Sequence, residues 1–216
     1  MSIVWNRLRY SFWAPWYDAL VAKADFGAAR SLSLQRLELA PNAHVLLVGA
    51  GTGLDLGHLP ATVTITAIDV SPAMLDRLRA RARQRGLKIE SRIMDAHRLE
   101  FGDGTFDAVV LHLILSVVGD PAQSLREAER VLKPDGRLAV FDKFLGDDEE
   151  VPLARFLANL VIKPLFSDLN RRLGPLVRQA NVEVVRDEPV AFGGMFRVIT
   201  LKKQTTGQVE GSIRVR

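Results

Sequence analysis

The sequence predicts an α/β fold, a mostly parallel sheet with helices on both faces. Short apolar runs alternate five times with helix-compatible stretches, the rhythm of strand–helix–strand units. The first run, His44-Val45-Leu46-Leu47-Val48, ends in three glycines spaced two apart, Gly49, Gly51 and Gly53, which read as a tight turn opening a helix. Polar residues then stand at the ends of the next three runs: Asp69, Asp95 and His112. In an open α/β sheet this carboxyl edge is where ligands bind.

Taken in order, residues 2–13 suit an amphipathic helix closed by Pro15, with Val4, Trp5, Leu8 and Phe12 in one arc between Arg7 and Arg9. All three Trp (Trp5, Trp13, Trp16) and both Tyr (Tyr10, Tyr17) lie in this opening segment. Such a composition suits either the water–lipid boundary or a lid packed over a core. Residues 27–40 continue as a helix carrying Leu32, Leu34, Leu37 and Leu39, broken by Pro41-Asn42. Beyond the glycine turn, residues 63–68 form a second strand ending at Asp69. Ser71-Pro72 opens the next helix, serine as N-cap and proline in the first turn. Its arginines, Arg77, Arg79, Arg81, Arg83 and Arg85, stand two apart, spread around the helix, and read as solvated surface; Gly86 ends it.

Residues 88–94 make a third strand ending at Asp95, and Gly102-Asp103-Gly104-Thr105 turns into a fourth over 106–111, apolar on both faces like a buried parallel strand. Asp120-Pro121 caps a helix through Leu132, and Lys133-Pro134-Asp135-Gly136 turns into a fifth strand over 137–144. The rhythm then changes. Residues 151–163 read as an amphipathic helix with Leu153, Phe156, Leu157 and Leu160 on one side, Pro164 interrupts, and a second helix covers 165–179. Residues 182–185 and 196–201 close as two strands joined by a loop with Gly193-Gly194, and a polar tail from Gln204 is expected to be disordered.

Composition narrows the function. A chain of 216 residues suits one α/β domain, and the absence of cysteine excludes disulfides, thiolate metal sites and cysteine nucleophiles. The four histidines, His44, His58, His97 and His112, include no pair with metal-ligand spacing, so no metal is expected. No run of about 18 apolar residues could span a bilayer, and no signal peptide is legible, which makes the cytoplasm the expected compartment. Net charge is +4, with an excess of six positive charges in residues 151–216 and a deficit of two in residues 1–150. A basic C-terminal part can serve an anionic membrane surface, a nucleic acid or solubility alone.

Asp69 lies 20 residues after Gly49, the offset at which a carboxylate accepts hydrogen bonds from ribose hydroxyls. A dinucleotide fingerprint needs its third glycine at the sixth position; here it comes fifth, at Gly53, and Leu54 stands sixth, so the turn is wrong for a pyrophosphate.

Five segments carry a family resemblance: Val-Gly-Ala-Gly-Thr-Gly (48–53), Ala-Ile-Asp-Val-Ser-Pro-Ala-Met-Leu (67–75), Met-Asp-Ala (94–96), Phe-Asp-Ala-Val-Val (106–110) and Val-Leu-Lys-Pro-Asp-Gly-Arg-Leu (131–138). In this order and spacing the chain resembles the class I S-adenosylmethionine-dependent methyltransferases of the small type 11 group, over roughly residues 44–144. The resemblance implies a Rossmann-like sheet of seven strands, the last antiparallel, with S-adenosylmethionine as cofactor. Gly49, Ala50, Gly51 and Gly53 would lie against its methionine and ribose, and Asp69 would hold the ribose hydroxyls. Val70 and Met74 would flank the adenine, and Asp95 and Ala96 would meet the adenine edge. By its position after strand four, His112 would stand near the methyl group, on the cofactor side, or serve packing alone. Many relatives carry an acidic residue two before the first glycine, where this chain has Leu47; Asp55 or a backbone carbonyl could hold the cofactor's amino group instead.

Methyl transfer asks the protein to align acceptor and methyl group and to exclude water, with a base only for a protonated nucleophile. The positional candidates for catalysis are Tyr17, whose Tyr17-Asp18 pair resembles one that relatives place over the cofactor, His112, and Asp142-Lys143 after strand five. The run from Leu113 to Pro121 and the closing Phe192-Gly-Gly-Met-Phe196 are similar to bacterial phospholipid N-methyltransferases, peripheral membrane proteins that methylate phosphatidylethanolamine. Quinone-ring C-methyltransferases share nearly all the motifs. A lipid acceptor at a membrane surface is thus the leading expectation, a quinone or soluble small molecule the second, and a cofactor-binding protein without turnover the third. No nucleic-acid partner is expected: the Asn/Asp-Pro-Pro-aromatic motif for a flipped base is replaced by His112-Leu113-Ile114-Leu115. On this reading residues 1–203 form one domain, with a helical lid over 1–40, a cofactor core over 44–144 and acceptor-side elements over 151–203.

Overall fold

The computed structural model describes residues 26–147, 149–152, 155–157, 159–160 and 168–204. The expected opening helix at 2–13, Tyr17, Pro164 and the tail beyond Gln204 lie outside the described residues.

The chain opens with α1 (Gly27–Gln35), β1 (His44–Val48), β2 (Thr64–Asp69), α2 (Pro72–Gln84) and β3 (Ile89–Ile93). It continues through β4 (Phe106–His112), α3 (Pro121–Val131), β5 (Leu132–Lys143), α4 (Gly174–Val177), β6 (Val182–Ala191) and β7 (Phe196–Lys203). The strands form one seven-stranded sheet in the order β3-β2-β1-β4-β5-β7-β6. β1 to β5 are parallel, and β7 runs antiparallel to both β5 and β6, so the last strand alone is reversed, as expected.

Strand alternation explains the two layers. Leu46, Val48, Val109, Leu111, Leu138 and Val140 face α3 and pack with its Leu125, Ala128 and Val131. Val45, Leu47, Val110 and Ala139 face the other way, onto Leu34 of α1 and Leu78 and Ala82 of α2. A smaller third cluster, Phe26, Ala29, Phe141, Phe196 and Val198, lies under the start of α1. The caps read from sequence are present: Ser71 Oγ accepts from Met74 N at 3.4 Å, and an Asp120 side-chain oxygen from Gln123 N at 2.9 Å.

Several elements differ from the sequence reading. The helix expected over 27–40 stops at Gln35, because the chain turns at Glu38 with φ +51°. The turn expected at 133–136 is absorbed into β5: pairing with β4 jumps from Phe106↔Leu132 to Ala108↔Arg137, with Asp135 at φ +61° in the bulge. Of the helix expected over 165–179, the described residues contain only Gly174–Val177, since Pro175 has no N–H to give a preceding turn and so sits at a helix start. Helix does occur at residues 155–157 and 159–160. β6 is more than twice the expected length; its polar Arg186-Asp187-Glu188-Pro189 stretch reads as loop in the sequence but is tolerated on an edge strand.

Candidate functional site

The glycine turn follows β1 and stands at the C-terminal edge of the sheet's centre. A Cβ on Gly49 (φ +64°) would lie 2.1 Å from Ile114 Cδ1, and one on Gly53 (φ +80°) would lie 3.3 Å from the Leu78 Cα. Gly51 (φ +54°) faces open space, so its side of the turn can receive a ligand. Ala50 is anchored to β2 by donating its N–H to Ile68 O at 2.9 Å. Gly53 leads into a single 3₁₀ turn, Leu54–Gly57, and not into the helix the sequence suggests. Four residues align too few peptide dipoles to offer a ligand a helix N-terminus.

Asp69, at the end of β2, clamps this turn. One carboxylate oxygen accepts the Gly51 N–H and the other the Ser71 N–H, both at 2.9 Å. Burial pushes its pKa up, and the backbone N–H groups of Ser71, Gly51 and Val70 oppose that shift. A carboxylate has about four acceptor positions, so hydroxyl donors can still be accommodated. Val70 is half-buried, and Met74 is buried in the first turn of α2. Arg81, expected as surface, instead donates to Thr52 O at 3.0 Å and holds the turn from α2.

Asp95 Oδ1 accepts both the His97 backbone N–H at 3.1 Å and a bond with His97 Nδ1 at 2.7 Å. His97 Nε2 lies 3.0 Å from Asp120 N. A backbone N–H can only donate, so Nε2 is unprotonated and Nδ1 carries the hydrogen toward Asp95. Ala96 is buried in the α3-side core. The loop after β3 is thus tied to the start of α3.

His112 ends β4 with its side chain only 1% exposed. Nδ1 lies 2.7 Å from Asp55 Oδ1, and Nε2 lies 2.9 Å from Ser33 Oγ in α1. Both ring nitrogens are taken, so His112 braces Asp55 and presents no free nitrogen. Asp55 also pairs with Arg30 of α1 at 2.7 Å. Burial alone would raise the Asp55 carboxyl, but the charges and hydrogen bonds of His112 and Arg30 outweigh it and hold the group far below the usual carboxylate range. Arg30, Asp55, His112 and the glycine turn line one small recess.

Across β5 the surroundings change. Asp142 is fully buried, accepting from Ser116 N at 2.9 Å and Lys143 N at 2.8 Å. Lys143 Nζ sits 5.5 Å over the Phe196 ring, and burial lowers its pKa against the opposing charge of Asp142. Phe26, Phe141, Phe192 and Phe196 form an aromatic wall beside it.

The structure therefore brings together Gly49, Ala50, Gly51, Asp69 and His112 around the turn, with Lys143 beyond Phe141. Arg30 and Ser33 were missed in the sequence reading. Their signal was present: in the helix the sequence predicts over 27–40, Arg30, Ser33, Leu34 and Leu37 at i, i+3, i+4 and i+7 would share one face, and two polar residues on an apolar stripe are anomalous. Among the described residues no group of acidic or histidine side chains could hold a metal ion.

Residues 46–140 match a family model described as a methyltransferase domain. The chain is 34% identical over 172 residues to a phosphatidylethanolamine N-methyltransferase of Cereibacter sphaeroides, covering 76% of this chain and 82% of that protein. It is 32% identical over 138 residues to a ubiquinone/menaquinone biosynthesis C-methyltransferase of Geotalea daltonii, covering 60% of this chain and 59% of that one. Its fold matches geranyl diphosphate C-methyltransferase from Streptomyces coelicolor, solved with S-adenosyl-L-homocysteine, at TM-score 0.69 and 15% identity over 82% of this chain and 76% of that chain.

Proposed function

Because the chain belongs to the S-adenosylmethionine-dependent methyltransferases, we propose that it methylates a membrane-associated lipid, with the amine of a phosphatidylethanolamine headgroup as acceptor. Bound S-adenosylmethionine supplies an electrophilic methyl group on a sulfonium. The residues around the turn fit that cofactor: the open side of Gly51 can admit it and Asp69 has acceptor positions left for its ribose hydroxyls; on this reading Val70 and Met74 flank its adenine, with Asp95 and Ala96 at its edge. Gly49, Ala50 and Gly53 shape the floor, and His112 supports it through Asp55. Lys143 and the Phe26–Phe196 wall form the acceptor side, where an amine with a lowered pKa can take the proton that the acceptor's ammonium must lose before its nitrogen attacks. Tyr17, outside the described residues, keeps its proposed place over the cofactor.

The observation that carries the lipid reading is a set of exposed apolar side chains at one end of the sheet. Phe156 (49%), Leu157 (54%) and Leu160 (60%) stand on the helical segment after β5, and Phe192 (62%) stands in the turn after β6. β5 and β6 point the same way, so both connections leave the carboxyl edge that carries the glycine turn. Large apolar groups beside a basic segment suit a lipid surface. No helix among the described residues is long and apolar enough to cross a membrane, and attachment at the inner face of the membrane is the corresponding proposal. The similarity to the phosphatidylethanolamine N-methyltransferase supports the headgroup; the quinone C-methyltransferase relative supports a ring carbon as the second reading.

Labelled methyl transfer to vesicles with and without phosphatidylethanolamine tests this. Label in the extracted phospholipid is the expected result. Label only in an added quinol would shift the assignment to the second reading, and label in neither would overturn both acceptors.

A further inference from the structure

We propose that Arg30 and Asp55 together hold the amino-acid end of S-adenosylmethionine, Arg30 taking its carboxylate and Asp55 Oδ2 its ammonium; this rests on the cofactor reading above.

The usual means of gripping that end are reduced in this chain. Position 47 is a leucine, 1% exposed and packed in one cluster with Leu34 and Leu56, so it offers no charge to a ligand. The 3₁₀ turn Leu54–Gly57 is too short to act as a helix N-terminus. A zwitterion laid over Gly51 must therefore find its counter-charges on side chains.

Arg30 and Asp55 line the recess beside Gly51, 5% and 4% exposed. Among the described residues, the Arg30 Nε is buried with no hydrogen-bond partner, and the guanidinium's hydrogen bond runs from Nη1 to Asp55. A guanidinium has five N–H donors, so a buried one with most of them unmet is short of an acceptor. Asp55 shows the mirror deficit. Arg30 and His112 both converge on Oδ1, and Oδ2 has no hydrogen bond or ion pair among the described residues. An ion pair with one unused edge on each partner complements a zwitterion: each new contact joins opposite charges, and no net charge is added to the recess. His112 and Ser33 act as positioning residues that fix Asp55 Oδ1 and thereby aim Oδ2.

Ser33, His112 and Asp55 also have the order of an acyl-transfer triad. Ser33 is 1% exposed inside α1, so no carbonyl can reach its hydroxyl, and the array is a brace.

The test is calorimetric titration with two ligands, S-adenosylhomocysteine and 5′-methylthioadenosine, which has the thioether nucleoside but no amino acid. Wild-type protein should bind the first at least about a hundredfold more tightly. In Arg30→Met and in Asp55→Asn that ratio should fall about tenfold or more, while the Kd for methylthioadenosine stays within about twofold. Arg30→Lys, which keeps the charge, should recover part of the ratio. Equal affinity of the wild type for both ligands overturns the assignment without any variant needing to fold. Equal weakening of both ligands in folded variants overturns it too, showing a structural brace alone. Failure of the wild type to bind either nucleoside would instead sink the cofactor reading beneath it.

Discussion

The half proposed to hold the cofactor and the half proposed to meet the acceptor present different physics. From β1 to β4 each strand end is fastened by polar contacts. Asp69 ties Gly51 to Ser71, Asp95 ties His97 to itself, and His112 ties Asp55 to α1. From β5 onward polar ties continue, at Asp142 and Asn159, but large apolar groups, Phe156, Leu157, Leu160 and Phe192, also face outward. A site for one fixed, charged, hydrogen-bonding molecule needs preorganised donors and acceptors. A site for a greasy acceptor needs apolar surface and access. Each half can be attacked separately, and each attack should leave the other function standing.

The largest effect is expected at Gly49. With φ +64° and Ile114 Cδ1 where a Cβ would stand, Gly49→Ala should cost about 2–4 kcal/mol in urea unfolding and remove S-adenosylhomocysteine binding. Gly51→Ala meets no neighbouring atom and carries only the left-handed backbone cost, about 1–2 kcal/mol. Its loss of ligand binding should nevertheless be comparable, because its open side is where the ligand is proposed to lie. A Gly51→Ala protein that binds normally would place the ligand elsewhere.

Next comes acid. The folded pKa of Asp55 lies below its unfolded value of about 3.9, so its stabilisation is complete above about pH 4 and fades as pH falls through the window beneath. In unfolding titrations across pH 2–6, wild-type stability should drop more steeply than that of Asp55→Asn. Parallel curves would show that the Arg30–Asp55–His112 array contributes no linkage. At neutral pH the variant should be less stable by about 3 kcal/mol, the scale for breaking a buried pair.

The same division explains what could be read from sequence. Strand ends such as Asp69 and caps such as Ser71 and Asp120 are local signals, set by residues a few positions apart, and they stood where expected. Arg30, Ser33, Asp55 and His112 meet across separations of 25 to 79 residues, and no local pattern announces such a meeting except polar groups on an apolar helix face. In the acceptor half, Pro175 and Pro189 mislead in opposite directions. The first starts a short helix where a long one looked natural, and the second sits within a strand because an edge tolerates it. Turn residues 133–136 likewise became a bulge, since pairing along β4 continues on both sides of them.

On the acceptor side, Phe156→Ser with Leu160→Ser should weaken association with anionic vesicles about tenfold in flotation assays. Both side chains are about half exposed, so stability should change by less than about 0.5 kcal/mol and S-adenosylhomocysteine affinity should not change. Deleting residues 1–13, with their aromatic, arginine-flanked pattern, should likewise lower vesicle binding. Unaltered flotation in both variants would leave the acceptor half without a membrane role.

The smallest expected effect discriminates most finely, because it runs against intuition. Lys143 is held in an apolar, aromatic setting that disfavours its charge, with Phe196 beneath Nζ and no carboxylate paired with it among the described residues. Its lowered pKa means that below the unfolded value of about 10.4 folding must either bury a poorly solvated ammonium or release its proton, a deficit that shrinks as pH rises toward that value. Lys143→Met should therefore be more stable than wild type by about 0.5–1 kcal/mol at pH 7, with the two curves converging near pH 10. If Lys143 takes the acceptor's proton, that more stable protein should bind S-adenosylhomocysteine normally and transfer methyl groups poorly. Lost transfer should be partly restored at alkaline pH, where the acceptor amine deprotonates unaided. Full activity at neutral pH would remove Lys143 from the acceptor site and leave the aromatic wall as its only defined feature.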